Sequence, residues 1–137
     1  MIANLGTNIS YEEGSFTPGI EFGEAAVGVT YTNRTGHYVR ICNRVFFSVQ
    51  ITLSSKGTSE GAFAINGFPY ACSHDEACSM MMFKSTFAGQ YSGYLTTNAA
   101  PKFLCYFTNE SGALSNITNA NVLDDCTLWL SGTYTTS

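Results

Sequence analysis

Charge is what this 137-residue chain has least of. Asp, Glu, Lys and Arg together make up 12% of it, about half the ~25% usual for soluble domains. Six residues are Lys or Arg and ten are Asp or Glu, for a net charge of −4. No basic stripe is available to meet a phosphate backbone, which argues against nucleic acid as a partner. Apolar runs are short too. None approaches the ~18 residues of a membrane span, so no insertion into a bilayer is expected. Residues Met1 to Leu5 lack a basic head and a long apolar middle, so no secretory signal is read there. Whether Met1 opens a natural chain or a domain cut from a longer one is left open.

Catalytic residue types are also scarce. The histidines are His37 and His74 alone, and no Gly-x-Ser-x-Gly elbow occurs. Asp124 and Asp125 are adjacent acids. On a strand neighbouring side chains point to opposite faces, so the two cannot converge on a glycosidic bond. The expectation is a protein that is not an enzyme. Cys72, His74 and Cys78, with Asp75 and Glu76, are metal-ligand types. They form one compact group rather than the two spaced pairs of a structural zinc site, so no metal and no cofactor is expected.

What replaces charge is Ser, Thr, Asn and Gly, with 45% hydrophobic residues. Those polar residues compete for the backbone or cost entropy in a helix and suit strands joined by uncharged turns. A chain of this length buries about 68–70% of its unfolded surface and forms one domain. Residues 1–15 show no sustained pattern and read as a lead-in; residues 16–137 read as a single body. A surface so short of charge also points to a face buried between subunits.

The pattern is clearest in the middle. Phe47, Val49, Ile51 and Leu53 alternate with Ser48, Gln50 and Thr52, the period of a half-buried antiparallel strand. Polar turn residues follow from Ser54 to Ser59. A second strand then carries Phe63 and Ile65, and the two read as an antiparallel pair joined by that loop. Phe16 to Phe22 reads as a first edge strand, with Pro18 allowed only at an edge or a start. Val27, Val29 and Tyr31 form the next strand, Asn33 to Gly36 a turn, and Val39 and Ile41 a continuation.

Further on, Met80 and Met82 oppose Met81 and Phe83 in a strand reaching Phe87, which Gly89 ends. Tyr91 and Leu95 oppose Tyr94. Asn98 to Pro101 is a turn. Phe103, Cys105 and Phe107 oppose Leu104 and Tyr106. Thr108 to Asn121 is a polar loop, and Cys126, Leu128 and Leu130 face away from Thr127, Trp129, Ser131 and Thr133. Strands at such short intervals predict an all-β, antiparallel β-sandwich of jelly-roll type. The expected core is Phe47, Val49, Ile51, Leu53, Phe63, Ile65, Leu128 and Leu130.

The same central stretch is similar to a known family. Asn43, Arg44, Val45, Phe46 and Phe47, then Thr52 to Gly57, then Gly61 and Ala62 running to Gly67, Phe68 and Pro69, resemble the C-terminal domains of bacteriophage tail fibres and tailspikes. Tyr11 to Pro18, YEEGSFTP, looks like that family's opening. Phe22 and Gly23, Gly28 to Tyr31 and Gly36 to Val39 follow in its order. Ala113 to Asn116 resembles its late polar loop, and Ser131 to Tyr134 its closing strand. The resemblance covers most of the chain and is weakest between Ala71 and Lys102. It implies a sandwich that assembles as a homotrimer at the distal end of a virion's tail fibre or tailspike. Its partners would be copies of itself, upstream fibre or baseplate proteins, and a host cell-surface polysaccharide or lipopolysaccharide.

Binding residues for such a glycan would be aromatic rings that stack on sugar faces, with polar tips that tolerate water. Tyr70, Tyr91 and Tyr94 lie near turns. His74, Asp75 and Glu76 occupy a loop tip, where binding residues concentrate. Trp129 is a candidate whose other reading is a second core or a seam between copies. Of the five cysteines, Cys42, Cys105 and Cys126 read as buried apolar residues, and Cys72 and Cys78 as the pair a local disulfide would join. Sequons at Asn8, Asn33, Asn109 and Asn116 carry meaning only in a glycosylating host. Two other readings stay open. One is a purely structural virion module such as a head fibre, decoration or trimerisation unit. The other is a carbohydrate-binding appendage of an upstream depolymerase.

Overall fold

In a computed structural model that describes residues 9–86 and 90–137, the chain is all-β and antiparallel. Among the described residues, ten strands run in chain order. They are β1 (Tyr11–Phe16), β2 (Gly19–Phe22), β3 (Val29–Ile41), β4 (Arg44–Lys56), β5 (Phe63–Asn66), β6 (Glu76–Ser85), β7 (Gln90–Leu95), β8 (Phe103–Thr108), β9 (Leu114–Asn116) and β10 (Val122–Thr135). They form one sheet ordered β1-β3-β4-β10-β6-β7-β8-β5-β2, with β9 added on β8. The sheet curls at β6. Ser79 to Ser85 of that strand pair with β10, whereas Glu76 to Cys78 pair with β7. The two halves close over a single core in the manner of a sandwich.

That core follows from the alternation. Phe47, Val49, Ile51 and Leu53 of β4, Cys126, Leu128 and Leu130 of β10, and Phe63 and Ile65 of β5 are all buried. Ile51 stands directly opposite Leu128, and both are fully shielded. Burying a side chain of this size contributes about 1.5–3 kcal/mol. Leu95 of β7 and Phe103 and Cys105 of β8 supply the other half. Phe68 closes one end. Its ring lies 5.1 Å from Phe47, 5.7 Å from Phe16 and 6.3 Å from Tyr134.

Several local expectations change. β4 and β5 do not pair with each other: β5 lies between β2 and β8 in the opposite half. The segment from Gly57 to Ala62 therefore crosses between layers instead of closing a hairpin. Gly57 has φ +72°, and a Cβ there would meet the Val27 carbonyl oxygen at 2.1 Å. Only glycine allows that approach. The expected strand from Phe16 to Phe22 is two strands, broken at Thr17 and Pro18, that form the two outer edges of the curled sheet. The first strand begins at Tyr11, within the stretch read as lead-in, and pairs with β3.

Asn33 to Gly36 is not a turn. β3 runs through it, and register shifts near Tyr31 absorb the irregularity. Gly36 serves packing there, since a Cβ would meet the Phe16 ring at 2.7 Å. Cys42 is exposed, at φ +52° in the β3–β4 turn, instead of buried. The polar loop from Thr108 to Asn121 holds β9 and a 3-10 turn at Asn119–Asn121. Phe87 and Gly89 lie outside the described residues.

Candidate functional site

The expected binding residues do not gather in one place. Tyr70 is half-buried and committed to the fold. Its hydroxyl donates to Glu12, its ring meets Tyr38 edge-on at 5.6 Å, and the Arg40 guanidinium lies 4.5 Å over it. Hydrogen bonds from Tyr38 and then Tyr70 hold the Glu12 carboxyl below its ordinary value. Tyr91 packs against the core, and its hydroxyl oxygen accepts the Met82 N–H at 2.9 Å.

The acidic loop is likewise internally satisfied. Asp75 Oδ1 accepts the Thr97 N–H at 2.6 Å and the Thr97 hydroxyl at 2.8 Å. Those bonds hold its carboxyl below the usual range, the backbone bond most. Glu76 begins β6. Its Oε1 accepts from Arg44 Nη1 at 2.8 Å and lies 3.1 Å from His74 Nε2. Its Oε2 is buried without a hydrogen-bond partner. The carboxylate ties β4 to β6. Cys72 and Cys78 are free thiols, which corrects the expected local pair. Cys72 Sγ donates to the His74 carbonyl and Cys78 Sγ to that of Glu76. Among the described residues, no three His, Cys, Asp or Glu side chains gather as a ligand set for a metal.

Trp129 and Tyr94 are different: each lies on an outward face of the sheet. On β10 the inward positions are Leu128 and Leu130, so Trp129 between them points out and keeps 39% exposure. Its ring meets Phe83 of β6 edge-on, with centroids 5.5 Å apart. Register places it in a row across four strands: Thr35, Gln50, Trp129, Met81. The neighbouring row is His37, Ser48, Ser131, Ser79. A shallow hollow of about 200 Å³ is lined by Thr35, His37, Ser48, Gln50 and Trp129. It combines an indole face with an amide, two hydroxyls and an imidazole, and holds no carboxylate or ammonium.

Tyr94 lies on the other half. Its neighbour is Tyr106 of β8, which the alternation sets opposite Phe103, Cys105 and Phe107 and which was not among the expected binding residues. Ser92 pairs with Tyr106 and Tyr94 with Leu104, so the two tyrosines are diagonal neighbours. Their rings are parallel to within 2°, with centroids 6.1 Å apart, an offset arrangement that aromatic quadrupoles favour. A hydrogen bond to Tyr94, with some desolvation, raises the Tyr106 phenol above its ordinary value. Ala77, Ser92, Gly93 and Leu114 complete a groove of about 490 Å³ around them.

No family model and no curated protein matches the chain. Its fold is similar to that in the crystal structure of the Dettilon tailspike protein, with a TM-score of 0.70 and 19% identity over 91% of this chain. The chain spans 24% of the length of that tailspike protein. At that identity the likeness concerns the fold.

Proposed function

We propose that the chain is a tip module of a bacteriophage tail fibre or tailspike, trimeric and non-enzymatic, that binds a host cell-surface glycan during adsorption. Three weak sites on one trimer raise avidity without any new contact. The likeness in fold to a part of a tailspike protein supports the setting. One observation carries the binding reading: Trp129 stands outward on a sheet face, beside Phe83, with Gln50, Thr35 and His37 around it. Sugar sites need an apolar ring face and uncharged hydrogen-bonding groups within reach of the hydroxyls. This hollow supplies both. Upstream fibre or baseplate proteins would hold the module in the virion.

A second reading has its own observation. Met81 and Phe83, next to Trp129, are 52% and 49% exposed. An apolar face of this kind also suits burial against another copy of the chain. In that case the module is structural and its tryptophan lies in a seam.

Light scattering and host-cell or glycan-array binding on the purified chain and on Trp129→Ala separate the two. Loss of glycan binding by a variant whose assembly is unchanged supports the sugar reading. Loss of assembly supports the seam. A folded trimer that binds no glycan and no host cell leaves the structural module standing.

A further inference from the structure

We infer that the groove between Tyr94 and Tyr106 is a sugar subsite of its own, separate from the Trp129 face, and that it takes a neutral pyranose. The inference rests on the glycan-binding reading but on other residues. β7 and β8 pair antiparallel, so their outward side chains form rows. One row runs Ala77, Tyr94, Leu104; the next runs Ser92, Tyr106, Asn116. Across them the two phenol rings lie parallel and form an aromatic floor. A pyranose has one face of C–H groups and an equator of hydroxyls. The floor meets the first by stacking.

The hydroxyls need uncharged partners, and these are at hand. Ser92 is exposed beside Tyr106 on one side, and Asn116 is exposed opposite it on β9. An amide offers both donor and acceptor, which suits a hydroxyl that does the same. The volume of about 490 Å³ lies in the range of small-ligand sites, roughly 300–1,000 Å³. Gly93 faces the other way, where a Cβ would strike the buried Phe103 ring at 2.4 Å, so it meets the groove through its backbone alone.

Charge selects the class of sugar. Ala77, Ser92, Gly93, Tyr94, Tyr106 and Leu114 line the groove, and none is ionised at neutral pH. An acidic sugar would leave its carboxylate without a counter-ion, in a protein of net charge −4, which disfavours it. The same lack of Lys and Arg separates this floor from the aromatic platforms that stack nucleic-acid bases, which need a basic track for the backbone.

The test is titration of the full, isotope-labelled chain with a panel of methyl glycosides of neutral hexoses, and in parallel with methyl galacturonate and an aliphatic tripeptide. Amide shifts are followed by NMR. The expected result is saturable movement at Ser92, Gly93, Tyr94 and Asn116 with at least one neutral glycoside. Tyr94→Ala and Tyr106→Ala should weaken it roughly tenfold, the size of one stacking contact, while Tyr94→Phe retains it. Retained spectral dispersion shows that each variant is folded; where one is not, Asn116→Ala carries the same expectation of weakening.

Movement only around Gln50 and Trp129 overturns the subsite and leaves glycan binding standing. Movement only in the groove upholds the subsite against the Trp129 face. Movement at neither overturns both. Groove shifts given by galacturonate or tripeptide alone overturn the assignment to neutral sugars.

Discussion

Tyr134 holds Tyr70 by both of that residue's backbone polar groups. The Tyr70 N–H donates to the Tyr134 hydroxyl oxygen at 3.3 Å, and the Tyr134 hydroxyl donates to the Tyr70 carbonyl at 3.2 Å. The phenol is fully buried at the end of β10. It thereby ties the irregular segment after β5 to the last strand. Tyr134→Phe keeps the ring and removes both bonds. It should lower stability by about 1–3 kcal/mol, the cost of unsatisfied polar groups in a desolvated place. The check is the urea midpoint, with the slope unchanged.

The two faces of β10 should respond unequally. Leu128 is fully buried opposite Ile51, so Leu128→Ala or Ile51→Ala should cost about 2–5 kcal/mol through lost burial and the cavity left behind. Trp129→Ala, one position along, removes a larger side chain from the exposed face. It should cost less than either. Chemical denaturation of the three variants ranks them, and a Trp129→Ala cost above that of Leu128→Ala would contradict the two-sided strand.

Two glycines with similar backbone angles should differ in the same way. Gly57 has φ +72° with the Val27 carbonyl oxygen 2.1 Å from any added Cβ, whereas Gly112 has φ +82° and nothing within 4 Å. Gly112→Ala should cost only the strain of a left-handed residue, about 1–2 kcal/mol. Gly57→Ala adds a backbone collision where the chain crosses between layers, and should be the far more damaging of the pair. Thermal melts of both variants decide it.

Stability should fall in alkali. Burial pushes the thiols of Cys105 and Cys126 up to about 12, and that of Cys78 to about 11, burial leading with the Glu76 charge behind it. Burial also raises Tyr134 to about 12. Unfolded thiols lose their protons from about pH 8.5 and unfolded phenols from about 10. Over this window the folded chain binds more protons, so unfolding gains as pH rises. The contribution is complete below about pH 8.5 and is lost on the way to pH 12. Urea midpoints between pH 7 and 11 should decline, and less steeply for a Cys105→Ala, Cys126→Ala double variant. A flat profile would count against these burial assignments.

Some of the site was legible in the residues and some was not. The outward position of Trp129 follows from its place between Leu128 and Leu130, and the opposition of Tyr94 to Tyr91 and Leu95 follows from the same period of two. Tyr106 carried the same signal on its own strand. What joined it to Tyr94 was the register of β7 on β8, which the turn at Asn98 to Pro101 sets. Asp75, Glu76 and Tyr70 were attractive as polar tips near turns. Their partners, Thr97, Arg44, Glu12 and Tyr134, are distant in sequence, and a local reading cannot see a distant hydrogen-bond partner.

The residue pattern by itself determined that the chain is all-β, which side chains of β4 and β10 enter the core, and which face of β4 is polar. A period of two is a property of the strand alone, because successive side chains must alternate. Only the tertiary structure decided which strands are neighbours. It set β5 beside β2 and β8 rather than β4, carried β3 through Asn33 to Gly36, and laid Tyr94 along Tyr106. Pairing depends on backbone groups that every residue shares, so the choice of partner is made by how the two halves close over one core.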